Sequence, residues 1–269
     1  MEYTQEQIAS HLDTCLSISG FFEGSNFNPR YDNATDNFDG AGISCGCLQW
    51  AAGPGSLSTF LKHCLHNMDE AKANAYFSEF GDSVVTNMSN MNGDQAKNYS
   101  LANFLDGAGK WLPNAKAAWK TFLVDEDVIK TQRQVAQDDI LMKAYSLVSK
   151  FTPGEELNLR AIAFFFDIVV QSGGMKNSRG SVEPVKKENA GSYVKAVDEA
   201  RAQGKQWTAD RWANSTDEPI SRWLLHYAYE RAQLSLPQWR WNALARRGTI
   251  ATRWGYVNST KIDLTNKLP

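Results

Sequence analysis

The chain has 269 residues, 42% hydrophobic and 22% charged, with a formal net charge of −2. This is globular composition, at a length that fits one large domain or two small lobes. The near-neutral balance sets up no field toward DNA or RNA. The longest apolar run, AIAFFFDIVV, is broken by Asp167 and too short to span a bilayer, so neither nucleic acid nor membrane is an expected partner.

In chain order, Thr4-Gln5-Glu6-Gln7 reads as a capping box. Ile8, Leu12, Cys15 and Leu16 follow at helical spacing, and Ser19-Gly20 is the expected end of this first helix, with Glu23 just beyond it. Asn26 to Gly46 is rich in Asn, Asp and Gly and predicts turns and short strands. Pro54-Gly55-Ser56 starts a second helix with the stripe Leu57, Phe60, Leu61, Cys64 and Leu65. Further helices are predicted at about 69–80, 114–123, 126–150, 155–172, 183–204 and 217–235, while Val84 to Gly109 reads as irregular. The 155–172 segment carries apolar residues all round, the mark of a helix at the centre of a domain. Asp167 lies within it, so it faces a cleft or pairs with a cation; Gln171 is one turn further on. Arg240 to Arg253 is a basic cluster, with Arg246 and Arg247 adjacent, and reads equally well as a solvated face.

The cysteines Cys15, Cys45, Cys47 and Cys64 and the histidines His11, His63, His66 and His226 match no metal-ligand spacing. No metal and no cofactor is expected, and the cysteines read as buried free thiols. The Asp- and Asn-rich loop Asp32–Asp39 lacks an EF-hand pattern and reads as a set of Asx turns. The N-terminal MEYTQEQIASHL has neither a basic n-region nor an apolar h-region, so no signal peptide is expected.

Two carboxylates stand in the segment FEGSNFNPRYDNATDNFDGAGISCGCLQW. Such a pair can hydrolyse a glycosidic bond when one is held protonated as general acid and the other ionised as base or electrostatic stabiliser. Glu23 follows Phe21 and Phe22, an apolar setting that favours its protonated form. Asp39 opens a glycine-rich loop whose backbone N–H groups favour the ionised form, and Ser44 is placed to hold the attacking water. Gly40, Gly42 and Gly46 would let a sugar chain approach the backbone closely. A bare hairpin turn at Asp39–Gly42 is the competing reading.

This arrangement resembles the chitosanase-like branch of the lysozyme superfamily, in which a helix and a Glu precede a D-G-x-G-x-[TS]-x-G segment. The matching residues are Glu23 and Asp39-Gly40-Ala41-Gly42-Ile43-Ser44-Cys45-Gly46. NFDGAGISCGCLQWAAGPGSL resembles still more a variant found in bacterial cell-wall-lytic lysozyme domains. ELNLRAIAFFFDIVVQSGG resembles the buried central helix of the same fold, which carries an Asp whose partner arginines orient the catalytic acid. The segment beyond Pro237 does not resemble the chitosanases. The resemblance implies a mainly α, α+β lysozyme-like fold: two helical lobes with a small β-hairpin region flanking a cleft, one catalytic domain with lobes near 1–125 and 126–269.

By the same resemblance Glu23 is the general acid, Asp39 the base or stabiliser, and Ser44 positions the water. Asp167 takes the supporting role, with Arg231 or Arg240 as its partner. Gln49 and Trp50 are implied to line the cleft, and Gly42, by close backbone approach, and Gln171, one turn beyond Asp167, are read from their positions as further substrate-binding residues. Inversion at the anomeric carbon is the implied outcome.

Chitosan is a polycation and asks for an acidic cleft, whereas the balanced charge and basic C-terminal segment suit anionic peptidoglycan. The expected function is therefore a muramidase cutting between MurNAc and GlcNAc, an antibacterial effector or phage-type lytic domain. A chitosanase is the first alternative and a non-catalytic wall-binding or phage structural module the second. Peptidoglycan strands are the expected partner, followed by a cognate immunity protein or a delivery apparatus. The chain is expected to be a monomer made in the cytoplasm and acting in the periplasm or at the wall after non-classical delivery.

Overall fold

A computed structural model describes residues 3–24, 27–257 and 260–268, with backbone alone at Glu23 and Gly24. The elements run α1 (Gln5–Gly24), β1 (Ala34–Thr35), β2 (Ser44–Cys45), β3 (Trp50–Ala51), α2 (Ser56–Asn67), α3 (Glu70–Ala75), α4 (Val84–Ser89), α5 (Gly93–Asn103), α6 (Pro113–Leu123) and α7 (Glu126–Val135). A π-helical stretch, Ala136–Leu141, leads into α8 (Met142–Phe151). Then come α9 (Leu159–Ser172), β4 (Lys176–Asn177), β5 (Gly180–Ser181), α10 (Tyr193–Ala202), α11 (Gln206–Ser215), α12 (Pro219–Gln233), α13 (Arg240–Thr252), β6 (Trp254–Val257) and β7 (Thr260–Asp263). The fold is mainly α, as the sequence predicts. No described helix is long and apolar enough to cross a membrane.

The chain forms two units. One comprises residues 1–26 with 138–269, the other residues 27–137. The sequence suggested one division near 125/126; the N-terminal helix instead belongs with the C-terminal half.

In the first unit α9 is the centre, and α1, α8, α12 and α13 pack on it. Asn158 caps α9, its side chain accepting from the N–H groups of Arg160 and Ala161, and Gly173 ends it in the left-handed region at φ 67°. Every residue from Arg160 to Val169 is buried, so the all-round apolar pattern meets protein on all sides. Phe165 meets Phe151 and Tyr227 at centroid distances of 5.7 and 6.2 Å. Each such buried ring contributes roughly 2–3 kcal/mol. At the start of α1, Thr4 and Gln7 exchange bonds of 2.9 and 3.2 Å, which is the capping box read from the sequence. The helix continues through Gly20 to Gly24, so Glu23 lies in its last turn rather than beyond it.

In the second unit a three-stranded antiparallel sheet of order β1-β2-β3 pairs Thr35 with Ser44 and Ser44 with Ala51. Phe77, Phe104, Trp119 and Phe122 form an aromatic core with ring centroids 4.9 to 6.4 Å apart. Two helices replace the irregular stretch expected at Val84 to Gly109. Asn92 and Gln95 make a full capping box on α5, yet only Ala96 and Ser100 are buried there, so no apolar stripe announces it. The cysteines are buried and free, and burial pushes the Cys47 thiol up to about 12.

Candidate active site

Asp167 sits on α9, 2% exposed, and receives the Nε–H of Arg246 at 2.5 Å. Arg247 stands behind, its Nε 3.7 Å from Oδ2 of Asp167, too far for a hydrogen bond but close enough for strong attraction in a dry interior. Arg247 is 2% exposed and donates from Nη2 to Ser172 Oγ at 2.7 Å. Burial lowers its pKa to about 10; Asp167 opposes that shift, while Arg231 and Arg246 add to it. The Arg246 guanidinium also lies 4.6 Å from the ring centroid of Phe22, in the last turn of α1. A cation at this place also suits the negative end of that helix. The side chain of the next residue, Glu23, lies outside the described part of the structure.

The pairing corrects the expected partners of Asp167. Arg231 instead donates to the carbonyls of Gly174, at 2.8 Å, and Ser172, at 3.3 Å, closing the end of α9. Arg240 is exposed at the first residue of α13. Arg246 and Arg247 are the arginines that matter, six and seven positions further along that helix. The basic cluster is thus not a solvated face: α13 packs against α9 with Arg247, Gly248, Thr249 and Thr252 buried. That buried face mixes Leu244, Ala245, Ile250 and Ala251 with Arg247, Gly248, Thr249 and Thr252, so the apolar stripe is diluted and the sequence pattern did not mark the helix. Two adjacent arginines within reach of one buried acid were the available signal. Gln171 is exposed in the last turn of α9, where the burial that encloses Asp167 gives way.

In the second unit Asp39 is exposed on the turn before β2, and its Oδ1 accepts the N–H of Ala41 at 3.0 Å. Asn37 Oδ1 accepts from Gly42 N at 2.8 Å, a longer side-chain bond that ties the loop beside the Asx turn at Asp39. Other acids of this loop meet lysines, Asp36 with Lys110 at 3.1 Å and Asp32 with Lys120 at 3.3 Å. Among the described residues no three His, Cys, Asp or Glu side chains cluster as a metal site. Ser44 is buried in the central strand.

Three expected substrate contacts turn inward. Trp50 is 8% exposed and stacks on Phe60, centroids 4.3 Å apart and planes 5° apart. Gln49 adopts a left-handed conformation (φ 55°), accepts from Thr35 Oγ1 at 2.8 Å and donates to Gly46 O at 3.1 Å, clamping the turn between β2 and β3. Gly42 stands against α5, where a Cβ would come 2.8 Å from Ser100 Oγ and 3.4 Å from the Lys97 backbone. The glycines at 42 and 46 thus serve close packing within the protein, and of the three only Gly40 has open space where a side chain would stand. Phe38, 71% exposed beside Asp39, is the aromatic that faces solvent at this loop, and the sequence reading passed over it.

Gly46 offers a direct check on this packing. Its φ is +80°, and a Cβ there would meet the Trp50 ring at 2.7 Å and Gln132 Oε1 at 2.9 Å. Gly46→Ala is expected to destabilise the second unit by about 1–3 kcal/mol, read as a lower urea midpoint at unchanged slope. An unchanged midpoint would mean that the Trp50 ring is free to move aside.

No family model matches the chain, and no curated protein does. Solved chitosanase structures do. One, described as a chitosanase complex, superposes with a TM-score of 0.58 at 15% identity, covering 94% of this chain and 96% of that one. A native chitosanase from Bacillus subtilis gives 0.54 at 15% identity, covering 92% and 88%. A glutamate-to-alanine variant of a Bacillus subtilis chitosanase, complexed with 6 GlcN, gives 0.57 at 13% identity, covering 97% and 100%. At that identity the likeness is one of fold: the chain has the lysozyme-like fold seen in these chitosanases.

Proposed function

We propose that this protein is a glycoside hydrolase that cleaves the β-1,4 bond between MurNAc and GlcNAc in peptidoglycan, with Glu23 as general acid and Asp39 as general base. The observation that carries the reading is the buried Asp167–Arg246 pair held against Phe22, one residue before Glu23. Asp167 fixes the Arg246 guanidinium, and a fixed cation beside Phe22 is suited to orient an acid at position 23.

In this mechanism the Glu23 proton passes to the glycosidic oxygen as the bond to the anomeric carbon breaks. Water attacks that carbon and gives its proton to Asp39; Ser44 steadies the water. Solvent then reprotonates Glu23 and takes the proton from Asp39. The route is inverting.

Peptidoglycan is favoured by the balanced charge of the chain, since a polycation calls for an acidic surface. Chitosan is the second reading, supported by the solved neighbours, one of which is complexed with 6 GlcN. A digest of purified peptidoglycan, with products identified by mass spectrometry, tests the proposal. Disaccharide muropeptides with a reducing MurNAc end support it. Intact peptidoglycan with chitosan cleaved would move the substrate to chitosan, and two inert substrates would sink the enzymatic reading. Phe38→Ala is expected to raise KM several-fold with kcat kept, because an exposed ring beside the base is suited to stack on a sugar. Steady-state kinetics on soluble glycan fragments would show it.

A further inference from the structure

Away from Asp167, the first unit carries two adjoining hollows of ≈ 510 and ≈ 410 Å³. The larger is lined by residues that include Tyr193, Pro219 and Arg222, the smaller by Lys150, Pro184, Lys186 and Trp223. Lys187 and Glu188 belong to both, so the two form one groove over the short 3₁₀ turn Lys187–Asn189. Its wall is rigid. The Trp223 indole donates to Val185 O at 3.0 Å, and the Tyr227 hydroxyl accepts from Val185 N at 2.9 Å.

The charge here is one-sided. Lys187 is matched by Glu155 at 2.9 Å. Lys150, Lys186 and Arg222 make no ion pair among the described residues, and Glu188 is the one carboxylate on the lining. Pro153 and Pro184 supply apolar surface between the cations, while Trp223 is buried beneath them with Lys187 Nζ 5.6 Å from its ring centroid. Arg222 and Arg231 are nine residues apart on α12, roughly 13 Å along its axis, so this groove is at the other end of that helix from the arginine that closes α9.

We propose that this groove is an accessory binding site for an anionic glycan, a peptidoglycan strand whose carboxylates meet Lys150, Lys186 and Arg222 while its sugar rings lie on the apolar floor. Recurring carboxylates on a chain of rings complement both the unpaired cations and the surface between them. The proposal rests on the peptidoglycan reading of the active site and adds a second point of attachment to it, which would hold the enzyme on an insoluble wall between cleavages.

The test is co-sedimentation of the Glu23→Gln protein with purified sacculi stripped of phosphate polymers. It is compared with the same protein also carrying Lys150→Gln, Lys186→Gln and Arg222→Gln. The expected result is about tenfold weaker binding for the triple substitution, the size of three exposed charge contacts together. Amidating the sacculus carboxyls should weaken the parent protein equally, an arm that does not depend on how the substituted protein folds. Undiminished binding in either arm overturns the proposal, as does a parent protein that never sediments. Tighter capture of an oligonucleotide through the same three residues overturns it too. Groove-dependent sedimentation by a protein whose wild type releases no muropeptide would leave the groove standing and the hydrolase reading refuted.

Discussion

Glu23→Gln is expected to lower muropeptide release by about 10²- to 10⁴-fold while sacculus binding is retained. The substitution keeps the size of the side chain and its hydrogen-bonding reach. It removes only the transferable proton, so the loss should fall on kcat and leave KM near its wild-type value. Position 23 lies in the last turn of a helix whose Cys15, Leu16, Ile18 and Phe22 are all buried, so its backbone is anchored and the substitution should not disturb the fold. Release rates from soluble glycan fragments, measured across pH, provide the check. A variant with near wild-type rates would remove Glu23 from the chemistry. Loss of binding along with rate would instead assign it to substrate contact.

Asp167→Ala should cost about 3–5 kcal/mol of stability, because it strips the buried Arg247 and the part-buried Arg246 of a shared carboxylate. Arg247 bears most of the consequence. It is fully enclosed, its pKa is already lowered to about 10 by burial, and Asp167 is the attraction that opposes the shift. At roughly 2–4 °C per kcal/mol for a chain of this size, the melting temperature should fall by about 6–20 °C. Replacing Arg247 by Met in the Asp167→Ala background should recover part of that loss, since an apolar side chain there needs no counter-charge. Calorimetry on the two variants would decide it. A melting point within a degree of wild type would show that the pair contributes nothing net. Failure of the Met replacement to recover any stability would trace the cost to the cavity left at Asp167 instead.

Much of the fold was legible because its signals are local. The Thr4 capping box, the stripe of α2 and the all-round burial of α9 each follow from residues within a few turns of one another. The Asx turn at Asp39 and the burial of Asp167 were legible for the same reason. The misreadings share a cause as well. Trp50 next to a glycine-rich loop suggested a sugar platform, but Phe60, ten residues on in α2, takes its face. The helix α5 docks through Ala96 and Ser100, which are too small to stand out in a hydrophobic pattern. Helix α13 buries Arg247, Thr249 and Thr252 among its apolar residues, and the inward arginine makes sense only once Asp167 is known to be waiting there.

Local spacing was therefore enough to settle a mainly helical chain, a central buried helix with one acid in it, and a polar turn that presents Asp39. Which arginine meets that acid was a different kind of question. Asp167 and Arg246 are 79 residues apart, and Arg231, Arg240, Arg246 and Arg247 are chemically equivalent until α13 docks on α9. A buried ion pair is chosen by three-dimensional proximity and by the loss of water around both charges, and neither is written in the spacing of residues along a chain.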